Sequence, residues 1–263
     1  MRRLALAFML LGACGSRAQP PQWPISPCRI TLFEGSRFTV CDPGAGKLRL
    51  YAARPDETPL RSFAEVMSIV PTGEVAFAMN AGMFDEDGRP IGLAVVDEAQ
   101  VHAINTRDGG GNFHLKPNGV FLLRRDGTAG IATSEAFKLS PKIVFATQSG
   151  PMLVIDGQIH PKFDADGSSR FIRNGVGIGP NGKPLFVISN EVVSFGKLAR
   201  FFRDGLGATD ALYFDGSVSS LWDPAAGRMD AGVPIGPIIV ALKPVQSVRT
   251  KSNTSTESRP PSR

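Results

Sequence analysis

The chain has 263 residues, 42% of them hydrophobic and 20% charged, enough for one sizeable domain or two small ones with a real core. Its formal charge is +5, but Arg2 and Arg3 supply +2 of that and residues 246–263 supply +3 (Arg249, Lys251, Arg259 and Arg263 against Glu257), which leaves the body neutral. Charge therefore does not imply a nucleic-acid patch, and no apolar stretch after the N-terminus is long enough to span a bilayer.

Residues 1–14 read as an export signal: Arg2 and Arg3, the apolar run Leu4 to Leu11, then small residues. Leu11-Gly12-Ala13-Cys14 resembles a lipobox, in which Cys14 is lipidated and becomes the new N-terminus. Ordinary cleavage near Ala18, with Ser16 and Ala18 as the small residues, is the rival. Either way the expected location is the periplasm or cell envelope, with membrane contact only through an anchor at Cys14. Residues 15–27, rich in Gly, Pro, Gln and Ser, read as a linker. The domain is expected over residues 28–245 and a disordered tail over 246–263.

Within the domain, Cys28 and Cys41 flank a strand, a Glu34-Gly35-Ser36 turn and a second strand. A disulfide across that hairpin is expected in an exported protein, with two separate buried thiols as the alternative. Ser62, with Glu65 three residues on, caps a helix running to Val70. Strands are expected at Val75 to Met79, Leu93 to Val96, Gly119 to Leu123, Pro151 to Ile155, Gly175 to Ile178, Leu185 to Ser189 and Ala211 to Phe214. Ser194 caps a second helix, Phe195 to about Leu206, with Phe195, Leu198, Phe201 and Phe202 at helical spacing. Gly177 to Pro184 imitates a phosphate loop, but Pro184 stands where Ser or Thr is required, so it reads as a hairpin. The fold class expected is α+β: one domain with a mostly antiparallel or mixed sheet core and a few packed helices.

Several apolar strands break into polar, glycine-rich segments. Val75 to Met79 runs into Asn80-Ala81-Gly82-Met83-Phe84, and Ala211 to Phe214 into Asp215-Gly216-Ser217-Val218-Ser219-Ser220. Asn112-Phe113-His114, Pro117-Asn118-Gly119, Gln148-Ser149-Gly150-Pro151 and Arg173-Asn174-Gly175-Val176-Gly177 lie between them. Polar groups converging at strand ends can grip hydroxyls and a phosphate. In order and as a set, these segments resemble the bacterial branch of the phosphodiester glycosidase family, over Cys28 to about Leu242. That family includes the animal uncovering enzyme, which removes N-acetylglucosamine from phosphodiester-capped mannose. Animal members carry a Gly-Gly-Gly-Ser type run after the strand-end Asp, where this chain has Gly216-Ser217-Val218-Ser219. The difference bears on the sugar pocket.

The resemblance implies hydrolysis of the bond between the anomeric carbon of an N-acetylglucosamine-like sugar and a phosphodiester in envelope or extracellular glycans; no cofactor and no metal site are expected from the residues. Such chemistry needs a carboxylate facing the anomeric centre, a cation for the phosphate and donors for hydroxyls. Asp215 is the candidate carboxylate, with a purely structural Asx turn as its alternative. Glu191, at another strand end, is the candidate partner acid or base. Arg173 is the candidate phosphate fork, against a surface ion pair with Asp164 or Asp166. Asn80, His114, Asn118, Gln148, Ser149, Asn174, Ser219 and Ser220 are candidate substrate-binding residues. A non-catalytic envelope protein that binds polysaccharide during exopolysaccharide assembly is the competing reading. A phosphodiesterase is a third, for which neither a metal site nor a nucleophile–base pair is visible.

Overall fold

The computed structural model describes residues 25–244, so the expected signal, most of the linker and the tail lie outside the described residues. Three sheets make the body, and every strand pairing among the described residues is antiparallel. The first has seven strands, in the order Cys28–Phe33, Ser36–Cys41, Pro184–Ser189, Asn174–Ile178, Asp210–Tyr213, Met152–Ile155 and Gln158–Ile159. The second runs Arg228–Met229, Leu221–Asp223, Val75–Asn80, Ile238–Leu242 and Leu48–Tyr51. The third runs Ala99–His102, Ala94–Val96, Ile143–Ser149, Gly119–Arg124 and Ala129–Thr133.

The period-two alternation of a strand explains how one core serves all three sheets. Phe77 and Met79 of the second sheet, Phe121 and Phe145 of the third, and Phe186, Ile188 and Leu212 of the first point into one shared cluster. Phe186 is its hub, with ring centres 5.4 Å from Phe77 and 5.7 Å from Phe121. The intervening residues face outward and meet the helices. Val40, Val187 and Tyr213 pack against Leu198, Phe201 and Phe202. Ala78, Ile238 and Val240 pack with Phe63, Val66 and Trp222.

The expected helices are present but short, so the body is more sheet-dominated than α+β suggests. The first spans Phe63–Met67, and its Ser62 cap accepts from the Glu65 N–H at 3.2 Å. The second is α-helical only over Phe195–Arg200 and then widens to a π-helical turn over Phe201–Gly205. Cys28 and Cys41 face each other across the first hairpin and are disulfide-bonded. The phosphate-loop mimic is a hairpin turn between Asn174–Ile178 and Pro184–Ser189, closed by Gly179 N–H to Lys183 C=O at 2.9 Å.

Candidate active site

Asn80 ends its strand fully buried, and its side chain ties three segments together. Its Nδ2 donates to the Asp215 carbonyl at 2.8 Å. Its Oδ1 accepts from the Ser220 N–H at 2.8 Å and from Asn174 Nδ2 at 2.9 Å. Asn174 Oδ1 in turn accepts from Ser219 Oγ at 3.1 Å, and Ser219 Oγ also reaches the Ile172 carbonyl at 3.0 Å. Asn80, Asn174, Asp215, Ser219 and Ser220, scattered over 140 positions, thus form one hydrogen-bonded knot where the first and second sheets meet. The two asparagines are spent on backbone and on each other. They shape the turn at 215–220 rather than presenting free amides.

Asp215 stands on that turn. One carboxylate oxygen accepts from the Ser217 N–H at 3.2 Å, the Asx arrangement that caps Gly216–Val218. Burial pushes its carboxyl above the usual carboxylate range, and the Ser217 bond offsets this only in part. No Lys or Arg pairs with it among the described residues.

Arg173 is 1% exposed, so neither the surface ion pair nor an open fork for phosphate describes it. Its Nε donates to the Val193 carbonyl at 2.9 Å, Nη1 to the Tyr213 hydroxyl at 2.9 Å, and Nη2 to the carbonyl and hydroxyl of Ser169 at 3.0 and 3.1 Å. Its guanidinium lies 3.6 Å from the Phe195 ring centre. Phe195 stacks on Phe163 at 5.0 Å, and Phe163 on the buried His160 at 4.6 Å. This ladder fixes the guanidinium, and cation–π attraction partly replaces lost water. Burial pushes Arg173 below its ordinary range, but it remains a cation and lacks an acidic partner among the described residues.

Tyr213 escaped the sequence reading and links the two charges. It precedes Asp215 by two positions, and its hydroxyl sits against the Gly216 backbone, where any Cβ would collide with it. Desolvation pushes its phenol up to about 12, with the Asp215 charge adding to the effect and Arg173 opposing it. The strand-end tyrosine two places before the Asp was the available signal.

The remaining candidates do not join this knot. Glu191 lies on the surface, where it accepts from the N–H and Nε of Arg37, both at 2.6 Å. That partner holds its carboxyl below the usual range. Gln148 is a structural hub and has no valence left for a ligand. Its Oε1 accepts from the Leu93 and Asn105 N–H groups, both at 2.9 Å, while Nε2 donates to the Asn105 carbonyl and to Ser134 Oγ. Replacing Gln148 with Leu strands these groups and is expected to cost about 3 kcal/mol, read by chemical denaturation; a loss under about 0.5 kcal/mol would refute the hub. Asn118 Nδ2 holds the Phe113 carbonyl at 2.8 Å. His114 is partly exposed and shares Nδ1 with the Arg107 carbonyl at 3.0 Å. Ser149 Oγ is buried without a partner.

The family profile for phosphodiester glycosidases matches residues 73–237. The uncharacterized protein YigE of Escherichia coli K12 is 40% identical over 150 residues, which are 57% of this chain and 59% of that protein. Among solved structures, the zebrafish N-acetylglucosamine-1-phosphodiester alpha-N-acetylglucosaminidase catalytic domain, auto-inhibited by its pro-peptide, aligns with a TM-score of 0.58 at 17% identity, over 82% of each chain. A putative exported protein from Burkholderia pseudomallei aligns with a TM-score of 0.52 at 12% identity, over 79% of this chain and 74% of that one. At such identities the two structures establish the fold alone, whereas the profile covers most of the described body, including Asn80, Arg173, Asn174 and Asp215. The chain belongs to the phosphodiester glycosidase family.

Proposed function

We propose that the protein hydrolyses the glycosidic bond between a sugar, N-acetylglucosamine-like, and a phosphodiester, and that it does so outside the cytoplasm on envelope or extracellular glycans. The observation that carries this reading is the Asp215 carboxylate, desolvated and without a cation on it, on a turn that the Asn80–Asn174 knot holds in place.

Bond cleavage at an anomeric carbon builds positive charge on the sugar ring. A carboxylate that water solvates poorly, and that no Lys or Arg neutralises, stabilises such charge strongly. Water takes the place of the leaving oxygen at the anomeric carbon, and the other half of the substrate departs as a phosphate monoester anion. Arg173 is too enclosed to grip it as a fork, and acts instead through its field and by holding the Tyr213 hydroxyl at 2.9 Å. Ser217, exposed on the turn, is the hydroxyl free to meet the substrate.

The test is release of free N-acetylglucosamine from UDP-N-acetylglucosamine and from a synthetic sugar-phosphate diester. Sugar phosphate as the product would move the cleaved bond to phosphorus. Binding without turnover across several sugars would support the polysaccharide-binding reading instead. Glu191→Gln is expected to change turnover by less than about twofold, because an exposed ion pair contributes little; a loss of a hundredfold or so would return Glu191 to the chemistry.

A further inference from the structure

A well-formed cleft of the described body lies away from Asp215. It has a volume of about 560 Å³ and is walled by the turns after Cys41, Val96, Arg124 and Ile178. Strand register places it at the opposite end of the sheets. Asn80 pairs with Ile238, whereas Leu48 pairs with Ala241 beside the cleft. Likewise Asn174 pairs with Ile188, whereas Ile178 pairs with Pro184. Strands of five or six residues separate the two ends by roughly 15–20 Å.

The lining is basic although the body is not. Residues 25–244 carry 22 Lys and Arg against 23 Asp and Glu. Around the cleft stand Lys47, Arg49, Arg124, Arg125 and Lys183 against Asp97 and Asp126. Arg125 is neutralised by Glu98 at 2.6 Å. Lys47, Arg49, Arg124 and Lys183 have no ion-pair partner among the described residues. A concave wall of one sign concentrates an opposite charge.

Arg49 and Arg124 stand on strands of the second and third sheets and Lys47 and Lys183 on turns, so the cleft has the volume and the unpaired charge for more than one phosphate. The apolar side chains of the lining, Leu48, Leu123 and Val144, are buried or half-buried, so none of them projects as an anchor for a membrane interface. We propose that this cleft is a second binding site, for a polyanionic chain that carries phosphate or phosphodiester groups along its length. Such a site would hold a polymer whose end or branch reaches Asp215 elsewhere, but binding there requires no turnover.

The experiment titrates the full chain with poly(glycerol phosphate) by calorimetry at low and moderate salt, beside Arg49→Glu/Lys183→Glu and a chain ending at residue 244. The wild type is expected to bind, with affinity falling roughly tenfold or more between about 50 and 200 mM salt. The double variant should bind at least tenfold more weakly with unchanged Tm, and the chain ending at 244 should bind like the full chain. Equal binding by the double variant, or loss on removing residues 245–263, would overturn the proposal. So would orthophosphate binding as tightly as the polymer, or a preference for vesicles of anionic phospholipid over the polymer. Because binding is read without hydrolysis, its failure leaves the reading of Asp215 untouched, and an inactive Asp215 leaves the cleft untouched.

Discussion

Asp215→Asn is expected to lower turnover of a sugar-phosphate diester by at least about a thousandfold, the scale on which a transition-state charge partner acts. The protein should stay folded, with Tm at or above that of the wild type near neutral pH. The sign follows from burial. The folded-state pKa of Asp215 is raised, so its neutral form is favoured in the fold, and stability is lost as pH rises through that raised value. Asn mimics the neutral form and removes the loss. The Tm difference should therefore shrink as pH falls and wild-type Asp215 takes up its proton. If the carboxylate acts ionised, wild-type turnover should fall with acidification at a pH above that at which surface carboxylates titrate. A lower Tm for Asp215→Asn would mean that the residue is chiefly structural, and undiminished turnover would remove it from the chemistry.

Arg173→Ala should cost about 3–5 kcal/mol, or a drop in Tm on the order of 10 °C, since it empties a stacked site and strands buried acceptors. The Val193 and Ser169 carbonyls and the Tyr213 hydroxyl would lose their donor together. Arg173→Met separates packing from charge: its chain can lie on Phe195 and should recover part of the stability. Turnover should stay at least about a hundredfold down, because the buried positive field is gone. Retained turnover in the Met variant would show that Arg173 is a brace and nothing more. Arg173→Lys keeps the charge but loses the fork, and should fall between the two in both readouts.

The turn-and-cap grammar was legible in the sequence. Ser62 and Ser194 cap as their spacing suggests, and the Cys28–Cys41 hairpin and the Gly179–Lys183 turn follow from strand runs broken by glycine. The polar breaks at Asn80, Asn174 and Asp215 do come together. Their bonding was not legible, because an isolated Asn reads the same whether it faces a ligand or another asparagine 94 positions away. Gln148 is another such case: Gln148-Ser149-Gly150-Pro151 reads as a polar, glycine-rich segment, yet Gln148 and Ser149 complete the buried strand Ile143–Ser149 because the amide finds all its partners inside. Glu191 sat at a strand end as expected, but its partner Arg37 is 154 positions away and on the surface. Long-range pairing decides each of these cases, and no local pattern encodes it.

The strand Ile238–Leu242 occupies the middle of the second sheet, bonded on one side to Val75–Asn80 and on the other to Leu48–Tyr51. Both sheet neighbours of the Asn80 strand, Leu221–Asp223 and Ile238–Leu242, lie near the end of the domain, so that sheet cannot close until the chain is complete to residue 242. The family match stops at residue 237, one position short of this strand. A gene fragment cut to the matched limits would encode every residue of the Asp215 knot and still yield a protein with a gap through its second sheet. Cloning boundaries for this chain therefore belong outside residues 28 and 242, whatever the family alignment covers.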